Sequence, residues 1–241
     1  MRVLIACEYS GTVRDAFIAH GHDAMSCDLL PTDRPGPHYQ GDIVDILGDD
    51  WDLMVAHPPC THLAVSGAKH FAAKQADGRQ AAALAFVQLL MDAPIPRVCV
   101  ENPVSIISTR IRKPDQIIQP WQFGHEATKT TCLWLKGLPP LVPTNIVGKG
   151  ARHVTKSGKS LPQWYNLPPS ADRWKIRSAT FQGIADAMAA QWSDDKVTVT
   201  VTPIALGWLV RVRGDHQATL GGQHLFTNEA DALAYARHIA C

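Results

Sequence analysis

Short apolar runs alternate with helical segments along the first 136 residues, and this alternation constrains the fold more than any other feature. Met1–Ala6 is a nearly continuous apolar run, as in a strand that is buried on both faces. Trp51–Ala56 and Arg97–Glu101 are similar runs, and an alanine-rich helix is predicted over Gln75–Met91. Strands that alternate with helices predict a doubly wound α/β sheet.

Several residues with reactive or acidic side chains fall at or just beyond the ends of the predicted strands. In an open α/β sheet, ligands bind at the carboxyl ends of the strands. We therefore expect these residues to share one site. They are Glu8, Asp28, Asp42, Cys60 and Glu101.

Composition divides the chain into four parts. Residues 1–136 carry the α/β pattern, and residues 137–178 are rich in Pro, Gly and basic side chains. Residues 179–194 are predicted to form a helix that returns to the first domain. Residues 195–241 are predicted to form a small α+β appendage of two strands and a helix.

Charge and cysteine content exclude several classes of protein. With 23 Lys and Arg against 22 Asp and Glu, the chain has no global basic field, so any polyanion must be bound by a local patch. The six cysteines are scattered without a disulfide framework, and no apolar run approaches the ~20 residues of a membrane helix. The eleven histidines show no metal-ligand spacing. We expect a cytoplasmic protein without a metal.

The turn Pro58-Pro59-Cys60 follows a predicted strand directly. Two prolines fix the backbone and remove two donors, so this stiff turn presents one thiol at the strand end. Such a thiol becomes a nucleophile where its surroundings favour the thiolate. The alternative is a buried structural cysteine beside a rigid turn.

Acidic residues at the other strand ends suggest two further roles. Glu101, followed by Asn102, could bind or protonate a ring nitrogen, although a helix cap or an ion pair is the alternative. Asp28 suits the hydroxyls of a ribose. The loop Glu8–Gly11 has one glycine where a pyrophosphate site has three, which disfavours a dinucleotide. Asp42 is alternatively a simple loop cap.

In this order, these motifs resemble the DNA (cytosine-5)-methyltransferase family from Met1 to about Trp192. The resemblance is most specific in Asp52–Cys60 (DLMVAHPPC) and Val100–Asn102 (VEN), with Gly41–Ile43 (GDI) upstream and Ser66-Gly67 downstream. Families that methylate an exocyclic amine would instead show Asp, Asn or Ser, then Pro-Pro and an aromatic residue. His57 and Cys60 occupy those outer positions here.

The resemblance implies a Rossmann-like fold, S-adenosylmethionine as cofactor and a covalent mechanism. Cys60 would add to C6 of cytosine and Glu101 would act at N3, so the base must be flipped or the substrate single-stranded. Pro59 would shape the pocket, and Asn102 would brace the catalytic loop. The residues that would hold the cofactor are Glu8, Tyr9, Ser10, Gly11, Asp28, Asp42, Ile43 and Pro58.

The chain departs from the family pattern in three motifs. Only Gly11 remains of the first glycine motif, and Gln182-Gly183 is the nearest match to the last motif. No arginine lies at Thr128–Cys132, where the family has one that helps to hold the base, and Lys129 is the nearest substitute. The sequence therefore resembles a compact, divergent branch of the kind that phages carry.

The segment after residue 136 interleaves cations with aromatic side chains, which is typical of a nucleic-acid groove. The alternative is a solvated loop with a few packed rings. Because family members with strict specificity carry a larger domain here, we predict readout of roughly one to three bases. With Lys129, the predicted contacts to DNA are Lys149, Arg152, Lys156, Lys159, Trp164, Arg173, Lys175 and Arg177.

Two other functions remain open from the sequence. One is a catalytically degenerate decoy that binds DNA or host enzymes, for instance to block restriction. The other is the same chemistry on a free nucleotide or RNA, or with a modified S-adenosylmethionine. His57 and His62 flank the turn and could contact phosphate or base, although each could equally be an ordinary loop residue.

Overall fold

The structure, a computed structural model, describes the chain except residues 167, 171–172, 194–197, 205–206, 214–222 and 241. The chain forms two compact units, Met1–Trp192 and Ser193–Cys241. No helix in the described ranges combines the length and the apolar composition needed to cross a bilayer.

The described residues of the first unit form nine strands and six α-helices. Its strands are β1 (Arg2–Ala6), β2 (Asp23–Asp28), β3 (His38–Gln40), β4 (Leu53–Ala56), β5 (Arg97–Pro103), β6 (Gln116–Ile118), β7 (Thr131–Lys136), β8 (Arg152–Val154) and β9 (Ser160–Pro162). Its helices are α1 (Thr12–Ala19), α2 (Phe71–Ala76), α3 (Arg79–Met91), α4 (Ile107–Arg110), α5 (Arg173–Ser178) and α6 (Gln182–Trp192).

Seven of these strands form one sheet in the order β3-β2-β1-β4-β5-β7-β6. The pairs among β1 to β5 are parallel, whereas β7 lies antiparallel between β5 and β6. The predicted α/β class is confirmed as a mostly parallel sheet, and the antiparallel direction of β7 was not predicted. The strand order reverses between β1 and β4, and this reversal is where open α/β sheets bind ligands.

Two hydrophobic clusters cover the two faces of this sheet because successive strand residues point to opposite sides. Val3 and Ile5 of β1 pack with Phe17 of α1 and Trp192 of α6 on one face. Leu4 packs with residues of β4 and α3 on the other face. Strands buried on both sides explain the continuous apolar runs of the sequence.

The helix predicted over Gln75–Met91 is two helices, α2 and α3, separated at Asp77 and Gly78. Gly78 has a φ of 78°, in the left-handed region that ends a helix. The Asp77 carboxylate then accepts a hydrogen bond of 3.1 Å from the backbone N–H of Arg79 in the first turn of α3.

The part of the second unit that the structure describes forms three antiparallel strands and a helix. These are β10 (Thr198–Ile204), β11 (Gly207–Arg213), β12 (Gln223–Phe226) and α7 (Glu229–Ala240). Asn228 caps α7, because its side-chain oxygen accepts a 2.9 Å hydrogen bond from the Asp231 N–H. The strand β12 was not predicted.

Candidate active site

The turn that carries Cys60 starts where β4 ends beside β1. The backbone N–H of His57 donates a 2.9 Å hydrogen bond to the carbonyl of Ala6, which extends the β1–β4 ladder by one residue. The Cys60 carbonyl accepts hydrogen bonds from the N–H groups of Leu63 (3.0 Å) and Ala64 (2.9 Å). The backbone on both sides of the thiol is therefore fixed, and the Cys60 side chain is half-buried.

The end of β5 locks onto this turn through Asn102. This residue is 1% exposed, and its side-chain N–H group donates a 2.9 Å hydrogen bond to the Pro58 carbonyl. Pro58 is itself buried, whereas Pro59 is exposed. Proline removes donors but not acceptors, so the Pro58 carbonyl is available for this contact. Asn102 occupies the place that a residue bracing the turn requires.

A second set of backbone contacts joins the same two loops. The Val65 N–H donates to the Val104 carbonyl at 3.1 Å, and the Ile106 N–H donates to the Leu63 carbonyl at 3.1 Å. The buried Lys74 ammonium donates a 2.5 Å hydrogen bond to the Thr61 carbonyl. The loops after β4 and β5 thus form one braced unit rather than two independent loops.

Glu101 lies in this unit and contacts His57. The Nδ1 atom of His57 is 2.8 Å from Oε2 of Glu101, and the two side chains are 11% and 10% exposed. Burial acts to raise the pKa of Glu101, but the hydrogen bond and charge of His57, together with the charge of Lys129, lower it overall. Glu101 is therefore ionised in the free protein at neutral pH.

The Cys60 thiol is surrounded by charges of both signs. Burial, followed by the negative charge of Glu101, raises the pKa of Cys60. A backbone hydrogen bond and the charges of Lys129 and Arg177 oppose this rise but do not cancel it. The sequence-predicted residues Glu101, Lys129 and Arg177 therefore lie within electrostatic range of Cys60, and the resting thiol is protonated.

Glu8, predicted as a cofactor contact, caps helix α1. Its Oε1 atom accepts hydrogen bonds from the Val13 N–H (2.8 Å) and the Ser10 hydroxyl (2.9 Å), and Oε2 accepts one from the Arg14 N–H (3.2 Å). Glu8 is 5% exposed. The amide groups that bind anions at a helix N-terminus are thus occupied by a side chain of the protein itself.

Gly11 and Arg14 shape the loop after β1. Gly11 has a φ of 71°, and a Cβ at this position would overlap the Arg14 guanidinium. Arg14 is fully buried, and its guanidinium donates to Asp15 and to the hydroxyls of Ser26 and Thr32. It also donates to two carbonyls of the loop that follows β2. Sequence reasoning missed Arg14, whose only signal was a charge on the apolar stripe of α1.

The acidic residues predicted to hold the cofactor lie close to the Cys7 thiol. Burial, then the charge of Asp28, the neighbouring Cys27 and the charge of Asp42, raise the pKa of Cys7 to about 12. One oxygen of Asp28 accepts a 2.9 Å hydrogen bond from the Leu30 N–H, which leaves the other without a partner among the described residues.

The GDI motif begins a short 3-10 turn. Asp42 caps this turn by accepting a 3.1 Å hydrogen bond from the Val44 N–H. Ile43 is 4% exposed and packs in the core, so its side chain does not line an open pocket. The adjacent Val44 is 55% exposed instead.

Lys129 connects the site to aromatic residues of the basic segment. Its ammonium donates a 3.3 Å hydrogen bond to the Ala179 carbonyl and lies 5.6 Å from the ring centre of Trp164 and 5.9 Å from that of Phe181. The two rings pack at 5.0 Å from each other. Lys129 and Trp164, both predicted as nucleic-acid contacts, therefore lie together.

Helix α5 packs beside the loops that follow β1 and β2. Tyr9 is 8% exposed, its hydroxyl is 3.0 Å from that of Ser178, and its ring is 5.5 Å from that of Trp174. Lys175 pairs with Asp33 at 3.1 Å. Tyr9 and Lys175 are thus engaged in holding α5 against the loops of the sheet.

The remaining cations that were predicted to contact DNA differ in whether their charged groups contact other side chains. Lys156 and Lys159 lie in the exposed turn between β8 and β9, where no described residue bonds to their ammonium groups. Arg152 is tied within this hairpin to Ser160 at 2.9 Å. Lys149 stacks over the Trp121 ring at 5.3 Å.

Arg173 is a further residue that the sequence predicts to contact DNA. The Nε atom of Arg173 is buried without a hydrogen-bond partner. Within the described ranges, no group of three or more His, Cys, Asp or Glu residues is arranged to hold a metal ion.

Comparisons with known proteins find a likeness among solved structures. No described protein family matches the sequence, and no curated protein matches it. Among solved structures, the chain is similar to a candidate DNA modification methyltransferase encoded within a prophage, from E. coli. The identity is 15%, the TM-score is 0.41, and the match covers 62% of this chain and 53% of that chain. The likeness spans about half of that protein's length.

Proposed function

We propose that this chain is an S-adenosylmethionine-dependent methyltransferase that modifies C5 of cytosine in DNA with low sequence specificity. The observation that carries the proposal is the coupling of Cys60 and Glu101 at the carboxyl ends of adjacent strands. The Asn102–Pro58 hydrogen bond of 2.9 Å fixes one to the other. A nucleophile and a carboxyl group on a braced turn are the parts that covalent activation of a pyrimidine requires.

In this mechanism, the Cys60 thiol gives its proton to solvent water, and its sulfur forms a bond to C6 of cytosine as the C5–C6 double bond opens. Glu101 at N3 stabilises the electron density that moves into the ring and makes C5 nucleophilic. S-adenosylmethionine, when bound, supplies the methyl group. Transfer of the C5 proton to solvent water restores the double bond and expels Cys60 as a thiolate. An incoming base excludes the remaining water from Glu101, which favours the protonated form that donates to N3.

The loops after β1 and β2 fit an adenosine cofactor that lacks a pyrophosphate. Glu8 occupies the amides at the start of α1, which disfavours an anionic group there. Asp28 keeps one carboxylate oxygen for hydroxyl donors such as those of a ribose. The acidic surroundings of Cys7 favour a cofactor with positive charge, as S-adenosylmethionine has.

The cations and rings near the site support a nucleic-acid substrate over a free nucleotide. Lys129 and Trp164 combine a positive charge with an aromatic face, which suits an unstacked base. Lys156 and Lys159 add positive charge on the hairpin β8–β9. Because C6 is enclosed in stacked DNA, the base must leave the helix to reach Cys60.

The test is incubation of the protein with S-adenosylmethionine and single- or double-stranded DNA, followed by digestion and mass spectrometry of the nucleosides. We expect 5-methylcytosine from the wild type and from Cys241→Ala, and none from Cys60→Ala. A Cys60-dependent product of another mass would change the transferred group only. Absence of any product, with no binding of S-adenosylmethionine by calorimetry, would refute the proposal and leave a DNA-binding decoy.

A further inference from the structure

We infer that His57 is a positioning residue for Glu101, holding one carboxylate oxygen so that the other faces the base. This inference rests on the proposed function of the site. His57 stands between the end of β4 and the double proline, a position from which the imidazole reaches across to β5.

The backbone of His57 is fixed on both sides. The His57 N–H donates to the Ala6 carbonyl at 2.9 Å. Because Pro58 follows, the His57 backbone is also restricted to extended conformations. A fixed backbone leaves few orientations for the imidazole, so the 2.8 Å contact to Glu101 is set by the turn itself. The same turn carries Cys60, so it fixes the position of the nucleophile as well as that of the Glu101 carboxylate.

The two carboxylate oxygens of Glu101 have different surroundings. Oε2 accepts the hydrogen bond from Nδ1 of His57. Oε1 has no hydrogen-bond partner among the described residues. It is not one of their fully enclosed unpaired atoms, so it keeps some exposure to solvent. Nε2 of His57 is enclosed and unpaired, so the imidazole does not itself reach the base. His57 therefore acts through Glu101.

The other ionisable groups around Glu101 cannot replace this contact. Lys129 faces it from the loop before β7 and acts only through its charge. The thiols of Cys60, Cys99 and Cys132 respond to the charge of Glu101, and no hydrogen bond links them to the carboxylate. Within the described ranges, His57 is the side chain that is hydrogen-bonded to Glu101.

The test compares His57→Asn with His57→Leu. The amide nitrogen of asparagine lies as many bonds from the backbone as Nδ1 does, so it keeps a donor for Oε2, whereas leucine keeps the volume alone. The chain has four glutamates, so ¹³C-labelled glutamate gives few carboxyl signals, and Glu101→Gln assigns the relevant one. Titration of that signal needs no substrate. The methylation rate is measured separately.

For His57→Leu, we expect the Glu101 pKa to rise above the ordinary carboxyl range, because burial then outweighs the charge of Lys129. The turnover number should fall about 100-fold through misplacement of the carboxyl group, with S-adenosylmethionine affinity unchanged. His57→Asn should titrate closer to the wild type and recover most of the rate.

An unchanged Glu101 titration in a folded His57→Leu protein would overturn the inference, whether or not the wild type methylates DNA. Equal rates for the asparagine and leucine variants would also overturn it. Absence of methylation by the wild type, with the titration as expected, would overturn the proposed function and leave the His57–Glu101 contact established. The two failures are therefore distinguishable.

Discussion

Replacement of Glu8 tests whether the start of α1 is closed by the protein itself. In the wild type, the carboxylate accepts three hydrogen bonds, two from backbone N–H groups of the first turn and one from Ser10. Hydrogen bonds to charged groups contribute about 1.5–3 kcal/mol each. The three hydrogen bonds share one carboxylate, and in Glu8→Ala water would partly replace that carboxylate as the acceptor, so their contributions do not simply add. We therefore expect Glu8→Ala to lower the free energy of unfolding by about 3 kcal/mol.

Glu8→Gln should cost roughly half as much, because the amide keeps one oxygen and places an N–H group against another donor. Urea unfolding followed by circular dichroism measures both variants, and Asp23→Asn, which alters an exposed carboxylate at the start of β2, is the matched control. A change below about 0.5 kcal/mol for Glu8→Ala, the size expected of an ordinary surface substitution, would refute this role.

Three further outcomes follow from the charges of the site. Glu101→Gln should speed alkylation of Cys60 by iodoacetamide at pH 8 by up to about tenfold, because removing the negative charge lowers the thiol pKa. Lys129→Met should slow the same reaction, since it removes a positive charge that favours the thiolate. Peptide mass spectrometry measures the alkylation rate of Cys60 in both variants, and rate changes of the opposite sign would contradict these electrostatic effects on the thiol. Lys156→Ala with Lys159→Ala should reduce the slope of log affinity for DNA against log salt by about 2, and an unchanged slope would remove the hairpin from the interface.

The parallel part of the fold was predictable because its strands are buried on both faces and read as continuous apolar runs. The strand ends then located Cys60 and Glu101, since parallel strands bring their carboxyl ends to one edge. The antiparallel direction of β7 was not predictable, because it depends on partners far along the chain. Gly78 shows how one residue divides a helix whose apolar pattern is continuous.

Side-chain partners were less predictable than positions. Glu8 has the sequence context of a ligand-binding residue, and only the path of the loop shows that it caps α1. His57 was one of two histidines beside the turn, and its contact with Glu101 depends on the spacing of β4 and β5. The buried guanidinium of Arg14 donates hydrogen bonds to five residues, most of them on the loop after β2. No local sequence pattern predicts these contacts.

The most direct measurement of the central claim is a covalent trap at Cys60. Fluorine at C5 of cytosine cannot leave as the proton does, so an enzyme that adds to C6 and methylates C5 stays bound to the base. We expect DNA containing 5-fluorocytosine, with S-adenosylmethionine, to give a complex that survives denaturing electrophoresis and maps to the Cys60 peptide. Binding of both DNA and S-adenosylmethionine without such a complex would contradict nucleophilic catalysis by Cys60.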